Sequence, residues 1–167
     1  MERAVDIKFR TGWNLISLPY QPPQTNIQSV LDPVLDRVKR VWSYENGVWY
    51  MFDPQNPGFT DLSSIQSGFG YYVFMDAPGQ ICGYGTETAE VQLDSGWNLV
   101  GYSDSSEMAI IDAIASIADK VEIIWQYRSG TWKMYDPANP GFSDLLTMAP
   151  GYGYWIKVKE ACTWTLP

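Results

Sequence analysis

The chain has 167 residues, of which 46% are hydrophobic and 15% aromatic, and it contains no His. Its formal net charge of −8 opposes binding to phosphate backbones and to anionic membranes, so the composition predicts no nucleic-acid partner. The sequence also has no apolar run of about 18 residues or more, and it therefore predicts no membrane insertion.

The chain is an internal duplication. Residues 42–73 return as 125–156, with 16 of the 32 aligned residues identical, and Trp-Asn-Leu at 13–15 returns at 97–99. An internal repeat decides the architecture before any local pattern does. We therefore predict two tandem repeats, residues 1–86 and 87–167, packed as a pseudo-symmetric pair.

Each repeat begins with a strand, a turn and a second strand, and a helix is predicted next. Thr25 and Asp104 are the predicted N-cap residues of the two helices, and Pro33 interrupts the first. Apolar residues at helical spacing form one stripe in each repeat. The stripes are Ile27, Val30, Leu31, Val34, Leu35 and Val38, and then Ile110, Ile111, Ile114, Ile117 and Val121.

A hairpin, a loop and two closing strands complete each repeat. The hairpins cover 41–52 and 124–135, and their turns carry Asn46-Gly47 and Ser129-Gly130. The predicted fold class is therefore α+β, with one antiparallel sheet and one helix in each repeat.

Alternation along the strands predicts which face is buried. On the hairpin, the face that both repeats keep is assigned to the core, and the face that changes is assigned to solvent. The kept residues are Trp49 and Met51 with Trp132 and Met134, and the changing ones are Val48, Tyr50 and Phe52 with Thr131, Lys133 and Tyr135. On the next strand, the core residues are Tyr71, Val73 and Met75 with Tyr154, Ile156 and Val158.

An ordered set of motifs runs through both copies: GWNLISLP at 12–19, VWSY at 41–44 and, in the second copy, PGYGYWI at 150–156. This set resembles a repeat of large secreted and cell-surface proteins of bacteria and archaea. The first copy departs from its usual ending, with Ser67 in place of Pro and Tyr72-Val73 in place of Trp-Ile. The resemblance implies an extracellular or cell-surface, non-catalytic module whose partners are other domains of a larger surface protein.

Catalysis is not expected from these residues. Without His, the Ser-His-Asp and Cys-His systems and the commonest general base are missing. The pairs Asp53/Asp61 and Asp136/Asp144 could serve as an acid and a base, but they lie beside Pro and Gly, where Asp normally accepts local backbone hydrogen bonds. We therefore predict that the chain is not an enzyme and uses no cofactor.

Oxygen donors recur in the same loop and are weak candidates for a calcium site. They are Asp53, Asn56 and Asp61 and, in the second repeat, Asp136, Asn139 and Asp144. Turn formation and strand capping explain the same residues, so no metal is predicted. Cys82 and Cys162 lie at non-equivalent positions, and two buried thiols and one disulfide both remain open.

Aromatic residues carry the most suggestive chemistry, because Trp and Tyr stack on sugar rings and on protein surfaces. Rings on the predicted core face are assigned to packing: Trp13, Trp42, Trp49 and Tyr71, with Trp97, Trp125, Trp132 and Tyr154. Rings on the opposite face are the ligand-binding candidates: Tyr50, Tyr72, Tyr135 and Trp155. The sequence thus predicts a structural or adhesive module acting through protein–protein contacts, with an alternative as a carbohydrate-binding module that uses exposed aromatic residues to hold a glycan.

Overall fold

The computed structural model describes residues 3–167, and most of its regular structure is antiparallel sheet. The first repeat contains β1 (Arg3–Phe9), β2 (Gly12–Ser17), β3 (Val38–Glu45), β4 (Val48–Phe52), β5 (Gly70–Met75) and β6 (Gly79–Gly85). The second contains β7 (Glu90–Leu93), β8 (Gly96–Gly101), β9 (Met108–Ala109), β10 (Val121–Arg128), β11 (Thr131–Tyr135), β12 (Thr147–Met148), β13 (Gly153–Val158) and β14 (Cys162–Thr165).

The two repeats share one topology. Each has a four-stranded sheet, in the order β2-β5-β3-β4 or β8-β13-β10-β11, and a two-stranded ribbon, β1-β6 or β7-β14. One face of each four-stranded sheet lies on that repeat's own hydrophobic core, and the first core draws on residues 7–81 and the second on residues 93–164. The predicted hairpins form: residues 46–47 and 129–130 all have positive φ, as a type I′ turn requires.

The α+β prediction is wrong, because neither repeat contains a helix of the predicted length. The helical segments are α1 (Ile27–Val30) with a 3-10 segment at Asp32–Arg37, and α2 (Ile110–Ala113) with a 3-10 segment at Ala115–Ile117. Pro33 cannot donate to the carbonyl four residues before it and so cannot continue the first helix. The second helix ends at the equivalent residue although Ser116 stands in place of Pro33, so proline alone does not account for the short helices. Each chain segment then turns into a long strand at Val38 or Val121.

Most residues of the predicted stripes are buried even though the helices break, and Leu31, Val34 and Ile114 are almost fully buried. Ile111 was also placed on a stripe, but it is 65% exposed, so the prediction is wrong for that residue. The predicted caps are also corrected. Asn26 caps α1 by accepting hydrogen bonds from the N–H groups of residues 28 and 29, and α2 begins after Ala109, whose side chain makes no cap.

The core face predicted from alternation along the strands is confirmed on β5 and wrong on the hairpin. Tyr71, Val73 and Met75 are buried, as predicted. On β4, however, Phe52 is buried while Trp49 is 45% exposed. The register explains the reversal: Trp42 lies opposite Met51 on one side and opposite Tyr72 on the other, so the kept hairpin residues share the face of Tyr72, away from the core.

The repeats meet through reciprocal backbone contacts around a pseudo-twofold axis. The N–H of Ser17 donates to the carbonyl of Gly151 at 3.1 Å, and the N–H of Gly101 donates to the carbonyl of Gly68 at 3.1 Å. Isolated bridges at Ile16–Tyr152 and Phe69–Val100 repeat the same exchange. Each donor or acceptor has its equivalent in the other repeat, as an isologous interface requires.

Candidate functional site

Two clefts lined by aromatic side chains lie where the non-core faces of the two four-stranded sheets come together. Cleft 1 has a volume of about 600 Å³ and is lined by Trp13, Trp42, Trp49, Tyr72, Tyr127 and Trp132. Cleft 2 has a volume of about 720 Å³ and is lined by Tyr44, Trp97, Trp125, Trp132 and Trp155. The pseudo-twofold axis relates the clefts, because each takes four rings from one repeat and an equivalent Tyr, Tyr127 or Tyr44, from the other. Trp132 lines both clefts, so cleft 1 has a second ring from the second repeat.

Sheet register places these rings next to one another. In the first repeat, Trp42 pairs across the ladder with Tyr72, and Tyr44 pairs with Trp49. Trp42 and Trp49 meet edge to face, with ring centroids 6.1 Å apart and planes at 86°. Their equivalents, Trp125 and Trp132, meet at 6.1 Å and 85°. Such pairs prefer this geometry because the positive ring edge meets the negative ring face.

Tyr72 and Trp155 hold the two aromatic faces together. They are equivalent residues of the two repeats, and the Trp155 Nε1 donates to the Tyr72 hydroxyl oxygen at 2.7 Å. Trp155 also packs against Tyr44 and Trp49 of the first repeat, at 5.3 and 5.9 Å between centroids. Burial between the sheets raises the pKa of Tyr72 above its ordinary value. The phenol therefore stays protonated in the ordinary pH range.

The outer rings of both clefts stay open to solvent. Trp13, Trp49, Trp97 and Trp132 are between 40% and 46% exposed. A lining made only of rings offers broad apolar faces and few hydrogen-bonding atoms. Such a surface can stack on the flat C–H face of a sugar or bury an apolar side chain.

The four aromatic residues proposed from the sequence as ligand-binding candidates fall in three different environments. Tyr72 and Trp155 are half-buried at the centre of the clefts, with their planes 45° apart. Tyr135 is buried in the second core, and Tyr50 packs against the first core. The structure therefore brings Tyr72 and Trp155 together and leaves the other two outside the clefts.

Sequence reasoning missed the four exposed Trp residues because it assigned every kept ring to packing. Tyr71 and Tyr154 do lie in the cores, but Trp13, Trp49 and their equivalents line open clefts, so for them the packing assignment is wrong. The signal that finds them is the register: Tyr72 points away from the core, and Trp42 lies directly opposite it.

A polar groove adjoins each cleft, and the two grooves are equivalent in the repeats. The groove beside cleft 1 has a volume of about 320 Å³ and shares Trp13 and Tyr127 with that cleft. The groove beside cleft 2 has a volume of about 400 Å³ and shares Tyr44 and Trp97 with it. Each cleft therefore continues from an aromatic floor into a polar channel.

Equivalent Asn side chains fix the backbone of both grooves. The Asn14 Oδ1 accepts from the N–H of Arg10 at 2.9 Å, and the Asn98 Oδ1 accepts from the N–H of Asp94 at 2.9 Å. Both amides also donate to the carbonyl four residues earlier. These bonds explain why Trp-Asn recurs: the Asn closes the turn that presents the neighbouring Trp to its cleft.

The calcium candidates are engaged in local hydrogen bonds. Asp53 accepts from the Gln55 N–H and from the Asn56 amide, both at 2.9 Å, and it pairs with the Arg40 guanidinium at 2.7 Å. Asp61 accepts from the Met51 N–H at 2.6 Å. The second repeat repeats the pattern with Asp136, Asn139 and Asp144. In the part of the chain that the structure describes, no three His, Cys, Asp or Glu residues cluster as a metal site would need.

The two cysteines are free thiols, with Cys82 exposed on β6 and Cys162 half-buried on β14. Of the two alternatives left open, the disulfide is not formed, and the alternative of two buried thiols is wrong for Cys82. Partial burial raises the pKa of the Cys162 thiol, which keeps it largely protonated and less nucleophilic. Neither thiol lines an aromatic cleft.

Comparisons with protein-family models, with curated proteins and with solved structures found no match for this chain. The resemblance to the surface-protein repeat therefore stays a prediction. Within residues 3–167, no helix has the length and apolar character that a membrane span needs.

Proposed function

We propose that the chain is a non-catalytic carbohydrate-binding module of an extracellular or cell-surface protein. One observation carries the proposal: four Trp rings, between 40% and 46% exposed, line two open clefts that continue into polar grooves. Sugars are typically bound by ring stacking together with polar groups that reach the hydroxyls, and each cleft with its groove supplies both. The extracellular location rests on the sequence resemblance.

Solvent exposure favours the carbohydrate-binding function over the structural or adhesive function that the sequence predicts first. Rings buried wholly between the repeats would serve cohesion alone, and Tyr72 and Trp155 do serve it. Trp49 and Trp132 lie on the edge strands β4 and β11, where no strand of the described chain covers them. Each ring therefore keeps a solvent-exposed face that a ligand can reach.

Glycan binding by wild type and by a double variant, Trp49→Ala with Trp132→Ala, tests the proposal. We expect the double variant to bind at least about tenfold more weakly, because truncating one aromatic hot-spot residue typically costs more than 1 kcal/mol. Its melting temperature should fall, because Trp49 also packs against Tyr44 and Trp155. Affinity is therefore measured well below the melting temperature of the variant.

The matched control is Phe59→Ala with Phe142→Ala. These rings are also equivalent in the repeats and are 78% and 85% exposed, but they lie on the loops after β4 and β11 and line neither cleft. Glycan affinity that survives loss of both Trp rings, or that falls equally in the Phe control, contradicts the proposal.

Protein–protein contact is the second candidate function, and the exposed Phe59 and Phe142 favour it. Each sits in a Pro-Gly-Phe turn that both repeats keep, at Pro57–Phe59 and Pro140–Phe142. An exposed aromatic side chain can serve as the anchor that fills a pocket of a partner protein. Loss of a protein partner in the Phe variant, with the Trp variant unaffected, would establish this function instead.

A further inference from the structure

The two polar grooves have opposite charge although their scaffolds are equivalent. The groove beside cleft 1 is lined by the cations Lys8, Arg10 and Arg128 and one carboxylate, Asp6, a formal charge of +2. The groove beside cleft 2 is lined by the carboxylates Glu45, Glu90 and Asp94, a formal charge of −3, and no Lys or Arg is among the described residues that line it. We call them the basic groove and the acidic groove.

The charge difference arises from residues at equivalent positions in the two repeats. Arg10 corresponds to Asp94, and the backbone at both residues is held by the same Asn hydrogen bond. Arg128 corresponds to Glu45, and each ends the strand before a type I′ turn. Scaffold geometry therefore does not require either sign. The side chains alone make one groove basic in a chain whose net charge is −8.

The cations of the basic groove are available to a ligand. Lys8, Arg10 and Arg128 are exposed, and among residues 3–167 none of them forms an ion pair. Arg128 lies over the Tyr152 ring, with its guanidinium carbon 4.4 Å from the ring centroid, which holds the charge at the wall of the groove. A concave site lined by one sign of charge concentrates ligands of the opposite sign.

We infer that cleft 1 and the basic groove together bind an anionic saccharide, one that carries carboxylate or sulfate groups. This inference rests on the proposed function. Trp13 and Tyr127 line both the cleft and the groove, so a sugar ring stacked there places its acidic substituents toward Lys8, Arg10 and Arg128. Cleft 2 continues into carboxylates and repels the same ligand. The molecule therefore has one acidic-sugar site rather than two.

The test measures binding of two acidic oligosaccharides, oligogalacturonate and a sulfated galactan oligomer, each beside its uncharged counterpart, the methyl ester and the unsulfated galactan. At low salt we expect at least about tenfold tighter binding of an acidic form, at a stoichiometry of one. The preference should shrink as salt rises toward about 1 M, where exposed charges are screened within about 3 Å.

Two variants exchange the residues of the grooves. The first, Lys8→Gln with Arg10→Asp and Arg128→Glu, gives the basic groove the residues of the acidic one. It should lose the preference for the acidic sugar and keep the affinity for the neutral one. The reverse variant, Glu45→Arg with Gln92→Lys and Asp94→Arg, should gain a second acidic-sugar site. If the triple variant has a lowered melting temperature, the double variant Lys8→Gln with Arg10→Asp, which leaves Arg128 on Tyr152, replaces it in the binding measurements.

The outcomes distinguish a failure of this inference from a failure of the proposed function. Equal binding of charged and neutral sugars by wild type, or a preference that survives the first variant, overturns the acidic-sugar site and leaves the carbohydrate function standing. No binding of any of the four sugars removes the function and the inference together. Poly-L-glutamate that competes as strongly as the acidic sugar identifies an acidic polypeptide as the partner and overturns the saccharide.

Discussion

The Trp155 indole N–H donates a 2.7 Å hydrogen bond to the hydroxyl of Tyr72, and the two residues hold the same position in the two repeats. A residue that contacts its own equivalent lies on the pseudo-twofold axis. The pair uses unlike side chains, so one can donate and the other accept. It therefore joins the two aromatic faces at their centre, with Tyr72 lining cleft 1 and Trp155 lining cleft 2.

Tyr72→Phe tests how much this bond stabilises the molecule. The change removes the acceptor and leaves the Trp155 N–H without its partner, so we expect the free energy of unfolding to fall by about 1 kcal/mol. Chemical denaturation gives the value. Tyr50→Phe is the control, because the Tyr50 hydroxyl makes no hydrogen bond to any residue from 3 to 167 and that variant should stay within about 0.5 kcal/mol of wild type. Equal losses in both variants contradict the role given to the axial bond.

Backbone approach at the interface between the repeats gives a second prediction. A Cβ at Gly153 would lie 2.8 Å from the carbonyl oxygen of Ile16, and a Cβ at Gly70 would lie 2.9 Å from that of Val100. Neither glycine has positive φ, so the constraint is the space and not the backbone conformation. Gly70→Ala and Gly153→Ala should each lower the free energy of unfolding by about 1–3 kcal/mol, as overpacked sites do.

Gly58→Ala and Gly141→Ala are the matched controls for this steric effect. A Cβ at either position meets no atom within 4 Å, and neither has positive φ. Urea denaturation of all four variants compares them. If the control pair loses as much stability as the interface pair, close contact between the repeats is not what requires glycine at 70 and 153.

The sequence predicted the duplication, the hairpins and the core face of β5, because these depend on local patterns that both copies repeat. It failed on the helices because apolar spacing reports burial and not backbone conformation. Leu31 and Val34 are buried as a helical stripe requires, yet the segment is divided between an α-turn and a 3-10 turn, as it is in the second repeat. Local pattern therefore located a buried segment but not its conformation.

The clefts could not be predicted from the sequence, and the reason differs from the one that applies to the helices. Identity between two repeats marks every residue that the shared architecture needs, and a cleft common to both repeats is kept as strictly as a core. Trp49 and Trp132 are identical for that reason and are exposed nonetheless. The pairing of Trp42 with Tyr72 decides their face, and that pairing is a long-range register that no single strand pattern contains.

A third prediction follows from the broken helix in the second repeat. Ile114 is almost fully buried and Ile111, three residues earlier, is 65% exposed. Ile114→Asp should lower the free energy of unfolding by about 3 kcal/mol or more, because it buries an unpaired charge. Ile111→Asp should change it by less than about 0.5 kcal/mol.

Leu31→Asp extends this test to the first repeat, where the side chain is fully buried. Its loss should match that of Ile114→Asp if the two segments cover their cores in the same way. Thermal melting followed by near-ultraviolet circular dichroism measures all three variants. Cooperative melting of Leu31→Asp and Ile114→Asp at the wild-type temperature would contradict the assignment of these segments to the cores.

The loop carboxylates give a prediction about pH. The Asn56 side-chain amide hydrogen-bonds to Asp53 and, with the Gln55 N–H and the Arg40 charge, holds the pKa of Asp53 below its ordinary value against the opposing effect of burial. The folded protein therefore binds protons at Asp53 less readily than the unfolded chain does. The resulting stability is fully present above the ordinary pKa of about 3.9 and is lost as pH falls through the lower folded-state pKa.

Asp136 provides an internal control for the charge contribution. Its pKa is lowered chiefly by the Asn139 side chain and then by the Ala138 N–H, but the residue equivalent to Arg40 is Ile123, which carries no charge. Asp53→Asn and Asp136→Asn should both flatten the decline in stability below about pH 4. Only the effect of Asp53→Asn should shrink when salt is raised to about 1 M, because the Arg40 side chain is 45% exposed and its charge is screened. Denaturation at pH 2–7 in low and high salt measures both, and equal salt dependence in the two variants would show that Arg40 contributes nothing through charge.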